Sequence, residues 1–496
     1  MKTAVPGKYT ARLLDLSVLT WITLIQSRSL SIWFDWETVR FFVLDRPNQF
    51  RWIEPLTQSW VDLTDYGIIV ASMTLRPLMT WSFQIESLLF GAFAPGYHIL
   101  NLAGHLACVW LLMTFLRKVG VSLPVSALAG LLFGIHPLTT QPMWILGDRA
   151  EIAVLLGGLI ALVHYERRPG IACLGMLLAL YSKETAVTLP GWLLIYDLLF
   201  VDTAVPFRRT LRFRIRRLIW PVLLTAGYLI HRTLVFGGVK GYRHIDHFRI
   251  DHVLDVLIQN VSWIFTIATD TRWILVPVAG MILLAFGLKR LRIARFGIIW
   301  FCIFMLPLMN LCNKWYLYTP VAAATVLFSG LVDPMFRDRR FRGITAMGGL
   351  LIALVFSVLS SAELNHQHRN AAISLPLARQ IRQEAGGLPN GSKILVVLTP
   401  PYRAAGLKGH FFDPDRNLLK SHKPPLESIV WDLNSVRYIG TRPVWNRSIE
   451  AAVRLLYDDI SIGVELTDIY HLDTHAKEHV VIQYNPDSGE IFRQAP

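Results

Sequence analysis

A chain of 496 residues that is 53% hydrophobic exceeds the roughly 45–50% apolar content of soluble domains, and only 17% of it is charged. These values exclude a long coiled coil or a disordered polymer and point to lipid as the solvent for much of the molecule. The net charge of +14 would suit a nucleic-acid partner, but the basic residues fall between apolar runs, as in Arg208, Arg209, Arg212, Arg214, Arg216 and Arg217. Anionic membrane lipid and the positive-inside rule account for them, and no nucleic-acid ligand is expected.

In chain order, Lys2, Lys8 and Arg12 precede an amphipathic stretch that no small-residue cleavage pattern follows, which reads as a retained first helix over about 13–32. The loop 33–93 carries Trp33, Trp36, Trp52, Trp60 and Trp81 among apolar and acidic residues, a pattern that suits amphipathic helices lying at headgroup level. Apolar runs follow at 94–116, 122–139, 150–165, 169–183, 186–200, 218–236, 272–288, 294–311, 316–332 and 344–361, each a candidate crossing of a core about 30 Å thick. The expected architecture is a polytopic α-helical membrane protein of about eleven transmembrane helices.

Past Ser361 the composition turns soluble. Residues 393–399, 461–467 and 479–484 read as strands, Asn485 to Gly489 as a hairpin-like return, and 375–385 and 448–458 as helices. A membrane-embedded domain over residues 1–361, including the outer loop 33–93, and a small α/β domain outside the membrane over 362–496 are therefore expected. Cys108, Cys173, Cys302 and Cys312 lie in or beside apolar runs with no close pair, so they read as small buried hydrophobes rather than disulfide or zinc ligands.

Five basic clusters set the orientation: Arg117 with Lys118, Arg167 with Arg168, the arginines of 208–217, Lys289 to Arg295, and Arg337 to Arg342. All fall on one side of the alternation together with the N-terminus, which makes that side cytoplasmic. An odd number of crossings places 33–93, 137–149, 237–271 and the C-terminal domain on the periplasmic or luminal side. Short loops and compact length fit a bacterial inner-membrane protein.

The ionisable residues near the outer helix ends are Asp35, Glu37, Arg76, Glu86, His98, His105, His136, Asp148, Arg149, Glu151, Lys183, Glu184, His231, Arg232 and Lys314. Such charges cost several kcal/mol in lipid unless they face a cavity or a partner, so together they outline one wet, charged chamber. Cations in a low-dielectric site call for an anion, for which a lipid-borne phosphate or pyrophosphate is the available chemistry, and nearby carboxylates can take a proton from an attacking hydroxyl. The same set would serve the gate of a transporter or flippase of a lipid-linked phosphate or glycan, or the mutually satisfied pairs of a non-catalytic membrane assembly protein.

The motifs Leu75-Arg-Pro-Leu78, Leu89-Phe-Gly91, Gly96-Tyr-His-Ile-Leu-Asn101 with His105, and Phe133-Gly-Ile-His-Pro137 occur in order. They continue through Trp144-Ile-Leu-Gly-Asp-Arg149, Tyr181-Ser-Lys-Glu-Thr185 with Leu189-Pro190, Tyr196-Asp197 and Trp315-Tyr-Leu-Tyr-Thr-Pro320. Over about residues 15–330 this series resembles the polytopic type-C glycosyltransferases, and most closely the transmembrane O-mannosyltransferase family whose animal members carry tetratricopeptide repeats. No such repeat is visible in 362–496.

The resemblance implies inverting transfer of a sugar from a polyprenyl-phosphate carrier to an acceptor hydroxyl on the outer side, with membrane lipids around the protein and the acceptor, protein or glycan, left open. It places the family's outer-loop catalytic acid at Asp35, with Glu37 standing where a second carboxylate is usual. Arg149, Lys183 and Arg232 are the donor phosphate-binding candidates, and Arg76, His98, His136 and Glu184 the orienting or acceptor-side ones. The chain departs from the pattern at Asp148, which interrupts a Gly-Arg motif, and at Lys314-Trp315, which replaces an acidic-basic pair. No cofactor or metal is required. The charge clusters themselves give a test: reporter fusions at residues 118, 212 and 338 are expected to report inside and one at 490 outside. An inside signal at 490 with the other three unchanged breaks the odd-crossing arrangement.

Overall fold

The computed structural model describes residues 8–34, 52–57, 75–91, 93–201, 207–238, 250–265, 291–309, 314–387, 393–398, 463–468, 479–484 and 491–493. The described chain is predominantly helical. The longer helices are α1 (Lys8–Gln26), α2 (Pro77–Phe90), α3 (Ala94–Lys118), α4 (Leu123–Gly134), α5 (Arg149–His164) and α6 (Pro169–Leu180). They continue as α7 (Leu189–Phe200), α8 (Phe207–Phe236), α9 (Ile250–Ile264), α10 (Arg292–Met305), α11 (Tyr318–Arg337) and α12 (Arg342–Ala385). Five of them, α2, α3, α4, α6 and α7, open with proline at the first or second position, where the missing N–H costs nothing and the fixed φ suits the helix.

Among the described residues, four helices are long and apolar enough to cross a membrane: Ala94–Lys118, Leu211–Phe236, Tyr318–Arg337 and Arg342–Asn365. A fifth arises if Leu123–Gly134 and Pro137–Trp144, bent by 56°, count as one span. The run expected as one straight crossing over 122–139 is thus broken. Pro137 pushes His136 out of the helical region, to φ −63° and ψ 136°, and the His136 ring caps the following turn by accepting from the Leu138 N–H. Helices α5, α6, α7 and α10 have 16, 12, 12 and 14 residues. At 1.5 Å per residue they reach about 18–24 Å, short of a core of about 30 Å. The segment 272–288 lies outside the described residues.

The solvent shows in what the helices leave uncovered. Ile344, Met347, Leu350, Leu351, Leu354 and Val358 are exposed along α12, and Ile230 and Leu234 along α8, Leu234 by 76%. A continuous apolar face of that kind would drive aggregation in water and is the normal surface in lipid, as an integral membrane protein requires.

The helices meet through small residues. A Cβ on Gly157 of α5 would overlap the carbonyl oxygen of Gly175 in α6, and one on Gly297 or Gly330 would overlap backbone atoms of the partner helix in the α10–α11 pair. Close backbone approach of this type is how apolar helices gain contact when burial from water contributes little. Of the cysteines, Cys108 is buried as expected, but Cys173 is only partly buried and Cys302, on the uncovered face of α10, is exposed; Cys312 lies outside the described residues. Asn260, the first residue of a glycosylation sequon, is wholly buried in α9.

The C-terminal strands form a four-stranded sheet of order β2-β1-β3-β4, with β1 Lys393–Leu398, β2 Gly463–Asp468, β3 His479–Tyr484 and β4 Ile491–Arg493. Strand β1 pairs in parallel with both β2 and β3, and β4 returns antiparallel to β3. Ile394 is completely buried at its centre. The helix expected at 375–385 is no separate element: α12 runs 44 residues without a break from the membrane-length segment to Ala385, and its far end packs on β3 and β4. The expected helix at 448–458 and the turn at 485–489 lie outside the described residues.

Gly330→Val is expected to destabilise the bundle by about 1–3 kcal/mol or more, because backbone rather than a movable side chain blocks the new group. Gly348→Val on the open face of α12, where nothing lies within 4 Å, is expected to be neutral. Survival of the monodisperse peak in size-exclusion chromatography after heating measures both, and equal survival of the two variants contradicts the packing argument.

Candidate active site

At the end of the bundle where α3 begins, three segments come together, each carrying one cation and one anion. Helix α2 and its N-cap supply Arg76 and Glu86; the first turn of α5 supplies Arg149 and Glu151; the turn between α6 and α7 supplies Lys183 and Glu184. Each segment pairs with both others. Arg149 bonds Glu86, Lys183 bonds Glu151, and Arg76 clasps Glu184 bidentately through Nε at 3.1 Å and Nη2 at 2.7 Å. The result is a closed ring of three ion pairs. One main-chain bond, from the Leu78 N–H to the Tyr181 carbonyl at 3.2 Å, fastens α2 to the same corner.

An aromatic floor shields the ring. The Arg149 guanidinium lies 4.0 Å from the centroid of Phe83, and its N–H groups also reach Ser82 Oγ at 3.3 Å and the Tyr97 carbonyl at 3.4 Å. Lys183 Nζ sits 4.1 Å from the centroid of Tyr316. Phe34, Met79, Phe83, Tyr97, Leu146 and Ala150 form one buried cluster beneath α2, with the Phe34 ring edge-on to Tyr97 at 5.2 Å. Residues Phe34, Met79 and Phe83 of the outer loop 33–93 thus pack beside the ring; Trp36 and Trp60 of that loop lie outside the described residues.

Burial acts on the carboxylates in opposite ways. It pushes the Glu86 carboxyl up, with the Arg149 charge pulling against it. Burial also pushes Glu184 up, but the Arg76 guanidinium, its two hydrogen bonds and the neighbouring Lys183 charge outweigh it and hold Glu184 at about 2.

The structure brings together Arg76, Arg149, Lys183 and Glu184. Arg149 and Lys183, expected to receive phosphate, are each already neutralised by a buried carboxylate, so an anion would meet their spare N–H groups rather than a net charge. Arg232 stands on α8, which meets the α6–α7 turn through Tyr228, edge-on to Tyr181 at 5.5 Å, and through His231, bonded to the Tyr181 hydroxyl; the Arg232 guanidinium lies 4.9 Å from the Phe236 ring.

The histidines are tied to main-chain carbonyls. His98 Nδ1 lies 2.7 Å from the Met143 carbonyl, and His136 Nε2 lies 2.8 Å from that of Ile264. His136 Nδ1 accepts from Leu138, so its proton is on Nε2. His105 bridges the Gly134 carbonyl and the Tyr318 hydroxyl at 2.9 and 2.7 Å. His231 links Tyr181 OH to the Leu56 carbonyl.

Lys314, half-buried over Trp263 at 5.7 Å, has no carboxylate at ion-pair distance among the described residues, and burial lowers its pKa. Asp35 and Glu37 lie outside the described residues. Among the described residues no three His, Cys, Asp or Glu side chains converge on a common point.

The sequence reading missed the partner rule, because Glu86, Glu151 and Glu184 had no assigned cation; the signal was present in the cation-plus-anion make-up of each segment. Because the Glu184 pKa falls on folding, its contribution to stability is complete above the ordinary carboxyl pKa near 4.5 and is lost as pH drops toward about 2. Glu184→Gln is expected to destabilise the protein by roughly 2–4 kcal/mol at pH 7. The gap between its melting temperature and that of the wild type should narrow steadily below about pH 4.5. A gap that does not change with pH in that range contradicts the pairing as its source.

No family model matches the chain. Curated relatives match a portion of it: Protein O-mannosyl-transferase Tmtc1 of Drosophila melanogaster is 34% identical over 121 residues, 23% of this chain and 14% of that protein. Protein O-mannosyl-transferase TMTC1 of Homo sapiens is 28% identical over 142 residues, 25% of this chain and 16% of that protein. The match thus spans about a seventh of those relatives' own length. Among solved structures, ArnT from Cupriavidus metallidurans bound to undecaprenyl phosphate aligns with 95% of this chain and 94% of that one, at 14% identity and a TM-score of 0.47. The oligosaccharyltransferase of Archaeoglobus fulgidus aligns with 79% of this chain and 62% of its own, at 14% identity and a TM-score of 0.43. The chain is similar, over about a quarter of its length, to protein O-mannosyl-transferases.

Proposed function

We propose that this protein is an inverting glycosyltransferase that takes a sugar from a polyprenyl-phosphate carrier and passes it to an acceptor hydroxyl on the periplasmic or luminal face. The observation that carries the reading is the ring of three ion pairs, two buried and the Arg76–Glu184 pair partly exposed, with Arg232 on the neighbouring helix, at one end of a bundle whose outer faces are apolar. Partial similarity to proteins named O-mannosyl-transferases supports the same class.

On this reading Asp35 is the base. It is the next residue after Phe34, whose ring packs into the floor beneath the ring of ion pairs. Its carboxylate takes the acceptor's proton as the acceptor oxygen bonds to the anomeric carbon. The bond from that carbon to the phosphate oxygen breaks on the opposite face, its electron pair leaving with the phosphate, so the configuration inverts. A phosphate needs no strong general acid to depart at neutral pH, so the donor side needs positive charge and fixed N–H donors. Arg232 supplies charge. Arg149 and Lys183 supply N–H groups whose positions Glu86 and Glu151 fix, while Arg76, Glu184, His98 and His136 hold the walls by the bonds described above. Glu37 stands as the second carboxylate.

On the same reading the chain makes about eleven crossings, the short helices α5, α6, α7 and α10 among them, within a membrane-embedded domain over residues 1–361, followed by an outer domain over 362–496. The N-terminus lies in the cytoplasm and the C-terminal domain in the periplasm of a bacterial inner membrane. The positions of the charges support this orientation: the ring lies at one end of α3, and Arg117 and Lys118, of the first basic cluster, at the other.

Wild type, Asp35→Asn and Glu37→Gln, reconstituted with a panel of polyprenyl-phosphate sugars and acceptor extracts, provide the test. Asp35→Asn is expected to lower turnover by roughly 10²–10⁴-fold while keeping donor affinity. Near-wild-type turnover in Asp35→Asn with none in a folded Glu37→Gln moves the base to Glu37. A wild-type protein that moves intact lipid or solute across vesicles without sugar transfer establishes the transporter reading instead.

A further inference from the structure

Helix α12 has two unlike faces. Met347, Leu351 and Leu354 are exposed on one, whereas Phe356, Ser360, Leu364 and His368 recur at every fourth position and line another. Each of these last residues meets a place where the chain passes from one helix toward the outer corner. At the bend after α4, the Phe356 ring stands edge-on to His136 at 4.8 Å, and Ser360 Oγ donates to the Ile135 carbonyl at 2.6 Å. Leu364 is fully buried in a cluster with Ile32, Trp144 and Ile145. His368 and its neighbour Asn365 reach the 3₁₀ turn Ser27–Ser31, which carries the chain from α1 toward Phe34.

Chemistry fixes the direction of both bonds to this turn. A guanidinium only donates, so Arg28 Nη1 gives its proton to Asn365 Oδ1 at 2.8 Å. The Ser31 hydroxyl donates to the Arg28 carbonyl at 2.8 Å, which leaves it an acceptor toward His368 and puts a proton on His368 Nδ1, 3.0 Å away. The Ile32 N–H closes the turn on the Ser29 carbonyl at 3.0 Å, and two residues on Phe34 is buried in the cluster beneath α2. We propose that Asn365 and His368 are positioning residues for the reaction: by holding the Ser27–Ser31 turn, they fix where Phe34 enters the corner and hence the point from which Asp35 continues. This deepens the transferase reading and rests on it, because it assigns placement of the base to a helix that takes no part in the ring of ion pairs.

Both hydrogen bonds are exposed, so Asn365→Leu combined with His368→Leu is expected to melt close to the wild type. In lipid nanodiscs the full chain with these two substitutions should exchange the amides of residues 27–34 for deuterium about 10-fold faster, with the amides of α3 and α5 unchanged. With the polyprenyl-phosphate sugar that the wild type turns over, kcat should fall by about 10–100-fold at an unchanged donor KM, as expected for a misplaced base. Asn365→Asp keeps the acceptor and His368→Asn keeps an N–H donor near the Nδ1 position, so this conservative pair should restore both the protection and kcat.

Exchange at 27–34 that stays at the wild-type rate in the double leucine variant overturns the clamp while leaving the transferase reading intact. Faster exchange with kcat unchanged, or a loss of kcat that the conservative pair does not restore, overturns the positioning role. A wild type that transfers no sugar from any donor in the panel sinks the transferase reading, and the role of Asn365 and His368 falls with it.

Discussion

The closed ring of Arg76–Glu184, Glu151–Lys183 and Arg149–Glu86 is the constraint on which this end of the molecule depends. Taking two charges out of water costs about as much as their attraction returns, so the ring adds little net stability over apolar side chains of the same volume. What it adds is geometry. Each of the three segments holds one cation and one anion and gives one to each neighbour, so removing one residue of the buried Arg149–Glu86 or Lys183–Glu151 pair leaves an uncompensated buried charge, at a cost of about 3–5 kcal/mol, and the partly exposed Arg76–Glu184 pair costs less. Helix α2, the first turn of α5 and the α6–α7 turn therefore take up one arrangement or none. The Leu78–Tyr181 main-chain bond and the Phe83 ring under Arg149 reinforce the same choice.

The opposite end of the bundle uses charge differently. There each carboxylate collects several donors: Asp197 takes Arg214 at 2.5 Å and Arg217 at 3.3 Å, Glu166 takes Lys118 and the Tyr196 hydroxyl, and Asp333 takes Arg337 and the Ser122 N–H. These bonds tie helix ends together, as Asp15 with Arg117 ties α1 to α3. Arg167, Arg168, Arg212 and Arg216 remain exposed beyond them. A surplus of exposed arginine suits anionic headgroups, whereas the ring end is balanced pair by pair.

Much of this was legible from residue order, for reasons that can be named. Helices α3, α11 and the first half of α12 are long apolar runs bounded by basic clusters, and apolar length is a one-dimensional property. Strands β1 and β3 were legible as short apolar runs between turn residues; their parallel pairing was not, because it depends on a connection of more than sixty residues. Pro137 could have announced the break in the 122–139 run, since it restricts His136, but the apolar count hides a bend that a single peptide unit makes. The fusion of 344–361 with 375–385 into one helix was missed because the polar residues after Ser361 end the apolar run but leave the helical hydrogen bonds untouched. At the site, the sequence located every ionisable residue of the ring, since charges near apolar runs stand out. It could not pair them, because Glu86 and Arg149 lie 63 positions apart and only the packing of α2 on α3 and α5 brings them together.

That pairing also changes which cations can act on a substrate. A lysine or arginine read from sequence counts as one positive charge, and on that count Arg149 and Lys183 are the natural phosphate ligands. Once Glu86 and Glu151 neutralise them, what they retain is direction: fixed N–H groups in a dry site, which discriminate position but attract weakly from a distance. Arg232 stands on a helix whose other face is open to lipid, with Leu234 76% exposed two residues on. On the transferase reading the work is thus divided by location. The lipid-facing helix α8 carries Arg232, and the ring, which cannot rearrange without breaking a pair, fixes the N–H groups of Arg149 and Lys183.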